Sequence, residues 1–137
     1  MIEAMRRITE HGGRVVVDLR GCDSRELFDV YQDFGLLCAR DRVRCALLKT
    51  GEESADVHYT LRDVLTTVAR VVGNPLRFRL AMVATSDSIA LVCLTVQRDL
   101  CALGCEARVF RVEREAKQWI RAGAWRTQPT ALQLAVA

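Results

Sequence analysis

The second half of the chain has an order of strands and helices that restricts the fold to the α/β class. Residues 76–84 form a predicted strand, and residues 81–84 are apolar at every position, as in a central strand covered on both faces. Residues 87–103 follow with helical spacing, and residues 106–121 repeat the pattern of a strand followed by a helix. Strands that alternate with helices in this way predict a largely parallel sheet.

The first half continues this pattern behind a β-hairpin. A turn at Gly12-Gly13 separates two segments of alternating and β-branched residues between positions 5 and 20. Asp23 and Glu26 have the spacing of a capping box, which marks the start of a helix. The remaining predicted elements are a helix at residues 24–39, a strand at 43–49 and a helix at 61–72.

The predicted order is therefore β-β-α-β-α-β-α-β-α, an α/β fold with a mixed sheet of about five strands and four helices. A chain of 137 residues has the length of one domain. We assign residues 1–122 to that domain and residues 123–137 to a C-terminal tail. The composition of the tail fits a disordered segment or one that docks on the domain, and the sequence leaves both open.

Charge and hydropathy exclude several classes of protein. The net charge of +3 is small and the basic residues are scattered, so we expect no nucleic-acid partner. The longest apolar run, residues 89–96, is far shorter than the ~20 residues that span a bilayer, so we expect no integral membrane protein. The N-terminal residues do not read as the apolar region of a signal peptide, and we therefore expect a cytoplasmic protein.

The six cysteines fit buried thiols better than disulfides or a metal site. Most of them lie within apolar helical or strand patterns, and the chain has neither a C-x-x-C motif nor a pair of histidines near them. We therefore expect neither a metal nor another cofactor. Cys22 is the thiol of most interest, because a thiol at the N-terminus of a helix can have a lowered pKa.

Three segments of the chain resemble the STAS family, and most closely its SpoIIAA-like branch of bacterial proteins. The hairpin closes on Gly21, residues 79–84 are similar to the family's R-x-A-[VI]-V strand, and residues 107–120 are similar to its [VE]-R-x-F strand and E-A-x-x-W-[LI] helix. The resemblance covers about residues 5–121 and implies the fold of anti-sigma-factor antagonists.

The phosphorylation site of those antagonists does not carry over to this chain. In the family the phosphorylated serine stands in an Asp-Ser-Ser-Gly turn before a helix. The matching loop here, residues 50–56, lacks that turn, and Ser54 lies between Glu53 and Asp56. The resemblance therefore implies a regulatory or interaction module, without a transferred phosphoserine.

Ligands of open α/β sheets bind beyond the carboxyl ends of the parallel strands, and three loops of this chain occupy such positions. The hydroxyl groups of residues 85–88 suit an anion or a phosphorylated serine at a helix N-terminus, with plain N-capping as the simpler alternative. His58 stands among acidic residues and would suit acid–base chemistry, with a surface position at a helix start as the alternative. The candidate residues of the three loops are Cys22, Asp23, Ser24, Thr50, Ser54, Asp56, His58, Thr85, Ser86, Asp87 and Ser88.

The helix at residues 87–103 is apolar almost all round, which is typical of a helix that is buried or meets a partner. Three explanations stay open: burial in its own domain, a dimer face, and the wall of an apolar ligand pocket shared with the preceding helix. The residues predicted to form that ligand or interface surface are Leu65, Val68, Ile89, Val92 and Val96.

The residues and the resemblance together favour a non-catalytic bacterial regulatory or interaction module of the SpoIIAA-like type. It would act by contact with a regulatory protein partner or by binding a small apolar ligand. Two alternatives stay open: a small enzyme that uses residues 50–58, and a structural homodimer with residues 87–103 at its interface. We assign no catalytic residue and no metal ligand.

Overall fold

A computed structural model of the chain describes residues 7–40, 43, 45–51, 62–64, 66–67 and 79–123. Nearly all of the predicted C-terminal tail lies outside these ranges. Five of the predicted site residues also lie outside them, and the hypotheses that rest on those residues stay predictions; they are Ser54, Asp56, His58, Leu65 and Val68.

The described residues form the strands and helices in the predicted order, and the general α/β class is confirmed. Residues 62–64 and 66–67 are helical and belong to the helix predicted at 61–72. The other elements are β1 (Ile8–His11), β2 (Arg14–Asp18), α1 (Ser24–Arg40), β3 (Cys45–Lys49), β4 (Arg79–Val83), α2 (Asp87–Ala102), β5 (Glu106–Phe110) and α3 (Glu113–Gly123). None of the helices in the described ranges is long and apolar enough to cross a membrane.

The five strands form one mixed sheet in the order β1-β2-β3-β4-β5. β1 pairs with β2 antiparallel, through a two-residue turn in which Gly12 and Gly13 both have positive φ. That backbone conformation suits the twist of a hairpin and favours glycine at both positions. The other three strand pairs are parallel, so each crossover moves one strand along the sheet.

Two caps fix the start of α1 and the end of α2, and the first of them is the capping box that the sequence predicts. The Asp23 carboxylate accepts a hydrogen bond from the Glu26 backbone N–H at 2.8 Å, and the Glu26 carboxylate accepts one from the Asp23 N–H at 3.3 Å. This reciprocal pair is a capping box at the start of α1. Gly104 ends α2 with φ +92, and the N–H of Cys105 reaches back to the Leu100 carbonyl at 3.1 Å, as in a Schellman motif.

The sheet is covered on both faces by different sets of helices. The main face packs against α1, α2 and Val64 of the helical residues 62–64, and its strand residues include Val17, Leu48 and Met82. Among the described helices, α3 packs against the second face, whose strand residues include Leu47 and Ala81. Neighbouring residues of one strand therefore belong to opposite layers, which is the alternation expected of a sheet buried on both sides.

Side chains of α2 cover the outer edge of β5. The Val109 backbone N–H donates to the Gln97 side-chain oxygen at 2.8 Å, and the Cys101 thiol donates to the Ala107 carbonyl at 3.6 Å. These contacts occupy backbone groups that an edge strand would otherwise offer to another strand. β5 is thus an edge strand with a partly blocked edge.

Candidate functional site

The carboxyl ends of β2, β3, β4 and β5 lie at one edge of the sheet because these four strands are parallel. Ligand sites of open α/β sheets form at such an edge. The loops that follow these strands contain the described members of the predicted loop site, from Cys22 to Ser88.

The loop after β2 is fixed by arginine side chains. Arg20 binds the Asp18 carboxylate through Nε at 2.9 Å and Nη2 at 2.8 Å, a two-pronged ion pair. That pairing holds the pKa of Asp18 at about 2, well below its usual value. Arg7 donates from Nη1 to the carbonyls of Asp18 at 3.2 Å and Arg20 at 2.7 Å, so the backbone of this loop is held as well.

Two of the three predicted site residues in that loop stabilise the fold. The Cys22 side chain is buried in the main core. Asp23 belongs to the capping box described above, and Ser24 is the exposed first residue of α1. The loop therefore offers a potential partner the exposed Ser24 and the side chains of Asp23 and Arg20.

Thr50 follows β3 and is buried, at 4% exposure. Its hydroxyl donates to the Val83 carbonyl at 2.8 Å, and its backbone N–H donates to the same oxygen at 3.0 Å. A buried hydroxyl with a satisfied donor stabilises the structure locally and is not presented to a ligand. Thr50 thus connects the ends of β3 and β4.

An ionic cluster that the sequence did not indicate lies beside this loop. The chain has two lysines, and both bind one carboxylate: Lys49 lies 3.3 Å from Glu113 and Lys117 lies 2.9 Å from it. The hydrogen bond from Lys117 lowers the pKa of Glu113, and Lys49 lowers it further. Lys117 is one helical turn beyond Glu113 and could have been paired with it by spacing, whereas Lys49 reaches it only through the fold.

Arg111 organises the loop after β4. Its Nη2 donates to the Thr85 carbonyl at 2.8 Å and to the Asp87 carboxylate at 2.7 Å. Ser86 occupies the N-cap position of α2 without a side-chain cap, and its hydroxyl instead lies 3.0 Å from that of Ser88. Residues 85–88 thus lie at the start of α2, with the Asp87 carboxylate paired to Arg111.

The predicted apolar surface of α2 is turned inward. Ile89, Val92 and Val96 are buried at 2%, 9% and 1% exposure. Ile89 and Val96 belong to the main core. The exposed large apolar residues of this helix are Leu91 and Leu94, at 67% and 48% exposure. We call these two residues the α2 surface.

All six cysteines are free thiols, and five are buried. Burial raises the pKa values of Cys38, Cys93 and Cys105 to about 12. These three thiols are protonated at neutral pH and are poor nucleophiles, because the thiolate is the reactive form.

A groove that sequence reasoning missed lies on the α3 side of β5. We call it the β5 groove; its volume is about 620 Å³ and its lining residues are Arg108, Val109, Phe110, Arg111, Glu115, Gln118 and Trp119. The Arg108 guanidinium stands over the Phe110 ring at 5.3 Å, and Phe110 contacts Trp119 with ring centroids 5.6 Å apart. An arginine two residues from a phenylalanine on one strand face was the available signal, but the partner Trp119 is positioned only by the packing of α3.

Comparison of the chain with protein-family models, with curated proteins and with solved structures found no significant match.

Proposed function

We propose that this chain is a non-catalytic interaction module of the STAS-like, SpoIIAA-like type, and that it contacts a protein partner through the α2 surface. The family part of this proposal is supported by the motifs quoted above and by a sheet that begins with an antiparallel hairpin and continues with parallel strands. A bacterial origin and a regulatory role belong to the same proposal.

The state of the polar groups at the carboxyl edge supports a non-catalytic role. General acid–base and nucleophilic catalysis need a base within hydrogen-bond reach of a reacting group. Instead, the Thr50 hydroxyl donates a hydrogen bond to the Val83 carbonyl. The carboxylates of Asp18 and Asp87 accept hydrogen bonds from Arg20 and Arg111, respectively. These contacts stabilise loops and strand ends.

The observation that carries the proposal is the two-sided character of α2. One side of the helix, with Ile89, Cys93 and Val96, packs on the main core. Leu91 and Leu94, one helical turn apart, leave a second apolar stripe exposed to solvent. Exposed leucines that lie side by side on one helix are typical of a contact surface for a partner.

Native mass spectrometry of the full chain, purified gently from its own cells, tests this proposal. We expect the wild-type chain to be detected in complex with a second, different protein. The Leu91→Asp/Leu94→Asp variant should be detected without that protein. Phe28→Asp/Leu36→Asp is the matched control, because these two residues of α1 are 47% and 66% exposed and the variant also gains two carboxylates. Both variants should stay folded, since the new carboxylates remain in water.

The other outcomes each favour an alternative. An excess mass of one chain would indicate a homodimer, and a retained small molecule would indicate apolar-ligand binding. Identical mass spectra for wild type and Leu91→Asp/Leu94→Asp would contradict a role for the α2 surface. The enzyme alternative depends on His58, outside the described residues, and an activity lost in His58→Ala would support it.

A further inference from the structure

We propose that the β5 groove is a binding site for a small aromatic anion, whose carboxylate or phosphate binds Arg108 and whose ring packs against Phe110 and Trp119. This site lies on the opposite face of the sheet from the α2 surface. The proposal does not depend on the proposed function.

Arg108 supplies the charge for this ligand. Its side chain is exposed, and the described residues place no carboxylate in ion-pair distance of it; its recorded contact is the Phe110 ring. Arg111, also in the groove, already binds Asp87. Arg108 is therefore the groove cation whose charge is available, and a guanidinium fits planar carboxylate and phosphate oxygens.

Aromatic side chains supply the apolar part of the site. The Phe110 and Trp119 rings are in contact at an interplanar angle of 53°. The Arg79 guanidinium also lies over the Trp119 ring, 3.9 Å from its centroid. The Trp119 ring is thus fixed from two directions before any ligand binds. A fixed aromatic wall beside a cation reduces the entropy that a flat anionic ligand loses on binding.

An added peptide strand is a less suitable occupant of this edge. Such a strand would need the outward N–H of Val109, and Gln97 already accepts from it at 2.8 Å. A compact ligand needs only the Arg108 side chain and the ring surfaces. Glu115 also lines the groove, and its carboxylate disfavours a ligand that carries a second negative group.

Nuclear magnetic resonance titration of the full chain tests the proposal, with the Trp119 indole N–H as the reporter. Trp125→Phe identifies that signal, because Trp119 and Trp125 are the two tryptophans. The probes are 2-naphthoate, 2-naphthyl phosphate and 2-naphthylmethylamine, which share a ring and differ in charge. We expect the Trp119 signal to shift with either or both anions, and the amine to bind about tenfold more weakly. The stronger of the two anions identifies carboxylate or phosphate as the preferred group.

Two variants locate the charge. Arg108→Gln should weaken anion binding about tenfold, whereas Arg114→Gln, an exposed arginine of α3 outside the groove lining, should leave it unchanged. Glu115→Gln should strengthen it about twofold by removing a like charge. Equal binding of the amine and the anions, an equal effect of the two arginine variants, or a Trp119 signal that no probe moves would each overturn the proposal. The test uses the purified chain alone, so loss of a protein partner on changing Leu91 and Leu94 leaves its result unaffected.

Discussion

The two faces of the sheet are built from different kinds of side chain. The main face buries an apolar layer of α1 and α2 residues, with thiols such as Cys38 and Cys93 among them. In the described part of the chain the second face is covered by the amphipathic helix α3, and charged side chains reach its margins: Arg79 on the Trp119 ring and Lys49 on Glu113. Long cationic side chains of this kind pack their aliphatic stems on apolar surface and keep their charged groups at its margin.

Leu47 and Leu48 compare the two faces most directly, because they are neighbours on β3. Leu48 is fully buried in the main core and Leu47 is 3% exposed in the second. Leucine-to-alanine changes in cores lower the free energy of unfolding by about 2–5 kcal/mol, more where the surroundings cannot relax. We expect Leu48→Ala near the upper end and Leu47→Ala near the lower, measured by urea denaturation. Equal losses would show that the second face is packed as firmly as the first.

Helical spacing predicts the inner residues of the helices on both faces, and on the second face Ala116 and Ile120 of α3 are buried as this spacing indicates. On the main face, Leu27, Tyr31 and Phe34 recur at helical spacing within the predicted helix 24–39, and all three are fully buried. The pattern of apolar and polar residues predicts burial on α1 because the buried positions of that helix are apolar. On α2 the same spacing identified a continuous apolar helix but did not separate the core residues from Leu91 and Leu94, because all of them are apolar.

On the second face the informative contacts join residues far apart in the sequence. Arg108 on β5 has the pattern of a solvent-facing cation, and only the position of α3 reveals the groove beside it. Lys49 and Glu113 come from different elements and meet because β3 and the start of α3 lie at the same edge. Local propensity contains no information about such pairs, and this is the physical reason that the candidate site was predicted less well than the fold.

The Gln97 side chain of α2 accepts a hydrogen bond from the outer edge of β5. Gln97→Leu would leave the Val109 N–H, which lies in a partly buried position, without its acceptor. An unsatisfied amide of this kind lowers the free energy of unfolding by about 1–2 kcal/mol. Arg98→Leu, at the exposed next position, controls for the added apolar surface and should change stability by less than about 0.5 kcal/mol. The same loss in both variants would remove the assigned role of Gln97, as judged by thermal and urea unfolding.

A change at Glu113 tests whether its ion pairs with Lys49 and Lys117 contribute to stability. Glu113→Gln removes the carboxylate that Lys49 and Lys117 share, and Lys49 is only 19% exposed. We expect a loss of about 1 kcal/mol, at the upper end for partly exposed pairs. Glu115→Gln, two residues along the same helix, is the control and should have no measurable effect on unfolding. A loss that persists unchanged in 1 M salt would indicate packing, because salt screens exposed ion pairs.

Asp18 gives the smallest expected effect and has a defined pH window. Its pKa is lowered from 3.8 to about 2, chiefly by the hydrogen bonds from Arg20. A group whose pKa is lower in the folded state contributes stability above its unfolded pKa and loses it as the pH falls through the folded one. The stability difference between wild type and Asp18→Asn should therefore be about 0.2–1 kcal/mol above pH 5, since the carboxylate is partly exposed, and should close between pH 4 and pH 2. Glu113 titrates in both proteins and cancels in the difference, so a gap that stays constant down to pH 2 would show that the Asp18 charge adds nothing to the fold.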